Sequence, residues 1–160
     1  MNVVAKKQAL QMLVHGVYIV SAGQGEEAVA NGVTWLTQAS FEPPLIMVAI
    51  RVDGRLHDAI LNTNAFAVNL VAAEQQEMVK TFFKPAETWG NTINGYEFAP
   101  GPVTGSPIFA DVPAWFEAQL RHSFHSGDHT VFVAEVVEAG VRDANAKILA
   151  LHDTPWQYGG

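Results

Sequence analysis

Pro43 and Pro44 stand side by side in the stretch NGVTWLTQASFEPPLIMVAIRVDGR, residues 31–55, and restrict the chain more than any other pair in it. Neither can donate to a β-ladder, so the backbone must turn there and the flanking segments must be separate. Before the turn, Thr34, Thr37, Gln38 and Ser40 fall where a strand is expected to end, which leaves their donors and acceptors free for a ligand. After it, LIMVAI is too continuous for a strand with one wet face and reads as a strand buried on both faces. Asp53-Gly54 then punctuates the chain before an amphipathic helix that begins near Arg55. A helix N-terminus beside Arg51 and Arg55 suits an anion, so the stretch suits a flat, partly polar ligand with an acidic tail.

The other segments surround this one. A helix is expected over 2–14, capped by Asn2, with Val3, Leu10 and Val14 packing on one face. Segments 16–22 and 27–34 flank Gly23-Gln24-Gly25 and predict an antiparallel hairpin. A strand over 45–51, a helix over 55–64, the strand AFAVNLV and a second amphipathic helix over 74–83 follow. Residues 84–112, with four prolines among several glycines, read as a long irregular segment of the kind that is functional or bridges subunits. Two strands over 113–124 and 128–140 turn at His125-Ser126-Gly127, and a last strand over 146–160 ends in the aromatic tail DTPWQYGG. Six or more strands with short interspersed helices predict a mainly β chain, a mostly antiparallel barrel decorated by helices.

At 160 residues the chain fits a single domain, 1–160, able to bury roughly two thirds of its unfolded surface. Charged residues are only 16% against 49% hydrophobic, so some apolar surface is expected to be covered by a second subunit, and a homodimer is predicted. The net charge of -7 argues against duplex nucleic acid. No apolar run has the roughly 18 residues of a membrane span, and the first residues lack a signal-peptide pattern, which predicts a cytoplasmic protein away from the membrane. With no cysteine, thiol chemistry and iron-sulfur clusters are excluded, and redox activity would need a bound cofactor.

Neither G-x-x-x-x-G-K-[ST] nor G-x-G-x-x-G is present. Arg51-Asp53-Gly54-Arg55 has two readings of equal weight, a solvated turn with a charge pair and an anion site. His122, His125 and His129 lie three and four apart, but Gly127 breaks any helix that would align them and nothing completes a metal shell. His129 enters a strand after Gly127-Asp128, where it can donate to an anionic ligand, polarise a ring carbonyl, or simply bond to the turn. No G-x-S-x-G elbow supports acyl transfer. Trp35, and Trp156 with Tyr158 in the tail, could border a pocket for a planar ligand.

NGVTWLTQASFEPPLIMVAI, AFAVNL, GSPIFADVPAWFEAQL and GDHTVFVAEVVEA, in that order, resemble the flavin reductase-like proteins with an FMN-binding split barrel. The resemblance covers roughly 9–140, and four ordered motifs are specific where one would be weak. It implies an antiparallel split β-barrel, a homodimer with FMN near its interface, and reduction of flavin by NADH or NADPH, with FAD as the other possible flavin. Carried over, Thr34, Trp35, Leu36, Thr37 and Gln38 run along the ring edge and Ser40 bonds flavin or braces the turn. Ile50, Arg51, Gly54 and Arg55 hold the ribityl phosphate, with His57 and Lys84 in support, and His129 lies near the nicotinamide and flavin rings as the catalytic residue. Two departures stand out: Gly54 replaces a serine common ahead of the phosphate-binding helix, and Ala118 replaces a cysteine after W-F-E. The resemblance therefore implies an FMN-dependent oxidoreductase passing electrons to free flavin, a ferric chelate or a protein acceptor. The alternative is a non-catalytic FMN-binding electron-transfer protein that docks to a redox partner.

Overall fold

The computed structural model describes Met1–Gly160. In chain order the elements are α1 (Val3–Gln11), β1 (Tyr18–Ala22), β2 (Val29–Val33), β3 (Leu36–Ser40), β4 (Leu45–Arg51), α2 (Arg55–Thr63), β5 (Ala65–Leu70) and α3 (Gln76–Thr81). Then come β6 (Thr88–Trp89), β7 (Thr92–Ile93), β8 (Tyr96–Pro100), β9 (Pro107–Phe109), β10 (Ala114–His125) and β11 (His129–Val141). Seven strands form one antiparallel sheet in the order β2-β1-β5-β10-β11-β4-β3. Its two edges, β2 and β3, are consecutive in the chain and joined only by Thr34 and Trp35. A link that short spans at most about 11 Å, so the sheet must curl until its edges nearly meet at that corner. The edges stay unpaired with each other, which leaves the barrel split there.

The enclosed core is a cluster of 26 buried residues, with Phe66, Phe82, Phe109 and Phe132 the largest fully buried side chains. α2 closes it with Leu56 and Ile60, both buried, each contributing about 1.5–3 kcal/mol by burial. Asn64 follows α2 in the left-handed conformation, φ 54°, a C-terminal stop that asparagine tolerates. On β10, Glu117 is fully buried and its carboxylate accepts from Val103 N (3.1 Å), Thr104 N (2.7 Å) and Thr104 Oγ1 (2.6 Å), fastening the loop between β8 and β9 to the sheet.

Several expectations change. The Asn2 cap forms, Oδ1 accepting from Ala5 N at 3.0 Å, but α1 stops at Gln11 and buries no residue; Val14 lies beyond its end and no other element covers the face of Val3 and Leu10. LIMVAI is buried on one face only. Ile46, Val48 and Ile50 point into the core while Leu45, Met47 and Ala49 point outward, Met47 being exposed. Thr37, Gln38 and Ser40 belong to a strand of their own, β3, rather than to the frayed end of one. Residues 84–112 hold a second sheet, β6-β7-β8-β9, built from strands too short to show an alternating pattern. The segment 146–160 makes only isolated bridges, Gly16 with Ala150 and Ala72 with Ile148, and no strand.

Candidate functional site

At the corner where β2 passes to β3 the outer surface of the sheet carries a cavity of about 530 Å³. Thr34, Trp35, Ala49 and Ile50 form its floor, from the link between the edge strands and the end of β4. One end is polar. Arg51, Asp53 and Gly54 line it together with Leu56 of the first turn of α2. Gly54 is the N-cap of α2 and offers no side chain to the helix; His57 N donates to Gly54 O at 3.1 Å, and the N–H groups of Arg55 and Leu56 before it have no side-chain cap. The rest of its wall is largely aromatic: Phe82 and Phe83 come from just beyond α3, Trp156 and Tyr158 from the C-terminal tail. Trp156 meets Phe83 edge-on, ring centroids 4.7 Å apart, and Tyr158 meets Trp35 the same way at 5.0 Å. Thr34 is only 7% exposed, and its Oγ1 has no hydrogen-bond partner within the protein. A buried hydroxyl left in this state costs free energy that a ligand in the cavity could recover.

Charge is arranged around the mouth. Arg51 grips Asp53 with two bonds, Nε to Oδ1 at 3.0 Å and Nη2 to Oδ2 at 2.6 Å. That hydrogen bond, with its Coulomb attraction, holds Asp53 below the ordinary carboxylate range and raises Arg51 above its already high value. Opposite Arg51 in the ladder stands His129. Its Nδ1 lies 2.6 Å from Asp128 Oδ1 and its Nε2 lies 3.0 Å from the Tyr158 hydroxyl, while its ring sits 4.7 Å from that of Trp35. The bond to His129 lowers the Asp128 carboxyl, and burial raises the Tyr158 hydroxyl.

Of the residues singled out in the sequence, Thr34, Trp35, Ile50, Arg51, Asp53, Gly54, Trp156 and Tyr158 come together on this cavity. The others do not. Leu36 turns toward the core, Thr37 and Gln38 are exposed on β3 and bond locally to Gln38 O and Ser40 O, and Ser40 closes that strand away from the cavity. Arg55 faces a second, polar cavity with Glu27 and Asp58 and donates to Ala86 O at 3.3 Å. The expected arginine pair is thus divided, since Arg51 ends β4 and Arg55 begins a helix turned away from it. His57 points at β11, its Nε2 2.9 Å from Thr130 Oγ1, and Lys84 is exposed outside the cavity. His129 reaches the cavity only through Trp35 and Tyr158. Phe83, Leu151 and Gln157 also line it, and sequence reading gave them no role. Phe83 comes from just beyond α3 and the other two from the far end of the chain, where only the aromatic character of DTPWQYGG hinted at such a wall.

A family model described as a flavin reductase like domain matches residues 10–158. The NADH-dependent flavin reductase StyB of Pseudomonas fluorescens is 30% identical over 146 residues, 88% of this chain and 79% of StyB. The NADH-dependent FMN reductase AsuE2 of Streptomyces nodosus subsp. asukaensis is 30% identical over 149 residues, 91% of this chain and 79% of AsuE2. Among solved structures, BorF, the flavin reductase component of a bacterial two-component tryptophan halogenase, superposes with a TM-score of 0.79 at 26% identity, covering 98% of this chain and 96% of its own.

Proposed function

This chain belongs to the flavin reductase-like family, and we propose that it is an NADH:flavin oxidoreductase that holds its flavin in the cavity at the β2–β3 corner. The observation that carries this reading is one cavity that combines aromatic walls, a helix N-terminus beside an arginine, and an unpaired threonine hydroxyl. A tricyclic ring with a phosphate tail calls for the same three groups. The single anion-binding place fits one phosphate, which favours FMN, as in the name of AsuE2; FAD would carry its adenosine outside.

A bound flavin supplies the acceptor for the hydride of the nicotinamide. The protein's part is orientation and exclusion of water. Trp35 and the tail residues Trp156 and Tyr158 would wall the slot for the rings, Thr34 would offer its hydroxyl to a polar ring edge, and the backbone at Gly54 with Arg51 would hold the phosphate. The non-catalytic alternative finds no support among the relatives, two of which are named as NADH-dependent reductases.

We further infer a homodimer. The outward face of β4, with Met47 39% exposed between Leu45 and Ala49, is apolar and runs straight into the cavity floor at Ala49, so a second copy seated there would also help to wall the site. A protein acceptor for the reduced flavin is the matching inference from the two-component system named for BorF. Anaerobic titration tests the central reading. The protein with FMN should lose its flavin absorbance on addition of NADH, and tight FMN binding without NADH oxidation would refute it.

A further inference from the structure

His129 touches the proposed nicotinamide slot only through a tyrosine from the end of the chain. The order is Asp128 carboxylate, His129 imidazole, Tyr158 hydroxyl, at 2.6 Å and 3.0 Å. The Asp128 carboxylate accepts only, so the imidazole nitrogen beside it, Nδ1, carries the proton. With a single ring proton, placed on Nδ1, Nε2 is bare and is the acceptor for the Tyr158 hydroxyl 3.0 Å away. The remaining face of Tyr158 Oη is then a lone-pair surface, and Tyr158 lines the cavity while His129 does not. Trp35, 4.7 Å from His129 and 5.0 Å from Tyr158 between ring centroids, fixes both rings from one side.

We propose that Tyr158, rather than His129, is the side chain that meets the nicotinamide, and that its oxygen accepts from the carboxamide N–H of the substrate. Asp128 and His129 are positioning residues behind it, which keep the hydroxyl proton turned inward so that only an acceptor faces the cavity. The inference rests on the reading of that cavity as the flavin and nicotinamide site. It also explains how a strand-borne histidine acts on a ligand it does not reach.

The first test needs no cofactor. In protein labelled with nitrogen-15 at histidine, long-range proton-nitrogen spectra of the ligand-free protein should show His129 protonated on Nδ1 at neutral pH, identified by loss of its signals in His129→Gln. The Nε2 resonance should shift in Tyr158→Phe. A proton on Nε2, or signals untouched by Tyr158→Phe, overturns the arrangement. The second test compares NADH with its reduced 3-acetylpyridine analogue, in which a methyl group replaces the carboxamide nitrogen. Wild-type kcat/KM should favour NADH, and Tyr158→Phe should reduce that preference by about tenfold, the value of one hydrogen bond to a fixed acceptor. His129→Gln should reduce it similarly and the double variant no further. Preference lost in His129→Gln but kept in Tyr158→Phe would return the contact to His129. No NADH oxidation by the wild type would remove the proposed function and this contact together, whereas unchanged preference in an active Tyr158→Phe removes only the contact.

Discussion

Thr34→Val should move two measurements in opposite directions. The hydroxyl of Thr34 is buried and unpaired in the free protein, and leaving such a group without a partner costs about 1–3 kcal/mol. Valine keeps the branched shape and removes the polar atom, so the ligand-free variant should be more stable by about 1 kcal/mol, which for a chain of this size is roughly 2–4 °C in Tm. In the proposed complex the same hydroxyl would be free to bond the polar rim of the flavin. Its loss should raise the Kd for FMN by about three- to tenfold, the equivalent of 0.5–1.5 kcal/mol. Differential scanning calorimetry with and without FMN reads both effects at once. The variant should start higher and gain less from saturating ligand, because the gain follows the ratio of ligand concentration to Kd. A variant that is less stable when free, or that gains as much as wild type from FMN, would refute the assignment of this hydroxyl to the ligand.

Because the two arginines face different cavities, Arg51→Ala should weaken FMN binding severalfold in a fluorescence titration while Arg55→Ala leaves it nearly unchanged; equal losses would contradict the geometry. Asp53→Asn frees Arg51 from its present partner and should tighten FMN by about two- to fivefold at low salt, an effect that fades above 0.5 M salt as exposed charges are screened. Gly101→Ala would drive a Cβ into the Glu117 carboxylate and should cost about 1–3 kcal/mol in urea unfolding, with an unchanged midpoint as the contrary result. Tyr158 has a hydroxyl raised by burial, so the docking of the tail is fully present below the ordinary tyrosine pKa and is lost as pH rises through the raised value. Tryptophan fluorescence should report that release at alkaline pH in wild type; an identical transition in Tyr158→Phe would assign it elsewhere, Tyr18 being raised by burial as well.

Elements whose pattern is complete within a few residues could be read from the sequence. The hairpin around Gly23 formed because φ 79° there needs glycine, and α2 formed because Leu56 and Ile60 are one turn apart and Asn64 stops it. Strands of two or three residues, such as β6 and β7, fall below any detectable period, which is why 84–112 read as loop. β4 misled for a different reason. Its outward residues Leu45, Met47 and Ala49 are as apolar as its inward ones, so the sequence shows a continuous run where the single chain has a one-sided strand. The cavity itself was half legible: Thr34, Trp35, Ile50, Arg51 and Gly54 are local to one stretch, whereas Phe83, Leu151, Gln157 and the partner of His129 arrive from residues remote in sequence.

The topology accounts for where that cavity lies. A split barrel has two edge strands, and an edge strand presents unpaired backbone groups that must be covered or matched. Here both edges end at the same corner, because β2 and β3 are joined by Thr34 and Trp35 alone. The corner therefore combines the ends of two edge strands, a threonine hydroxyl with no partner, and a tryptophan whose ring lies against Tyr158 and His129. A chain that folded to completion at this place would need a further strand. Instead it brings the tail across, so that Trp156 rests on Phe83 and Tyr158 on Trp35, and leaves a slot beneath. A planar ring with a polar rim is the ligand that matches edges, hydroxyl and aromatic walls together. The oxidoreductase reading thus follows from what the split leaves unsatisfied, and any ligand that pairs only with the arginine end would break that connection.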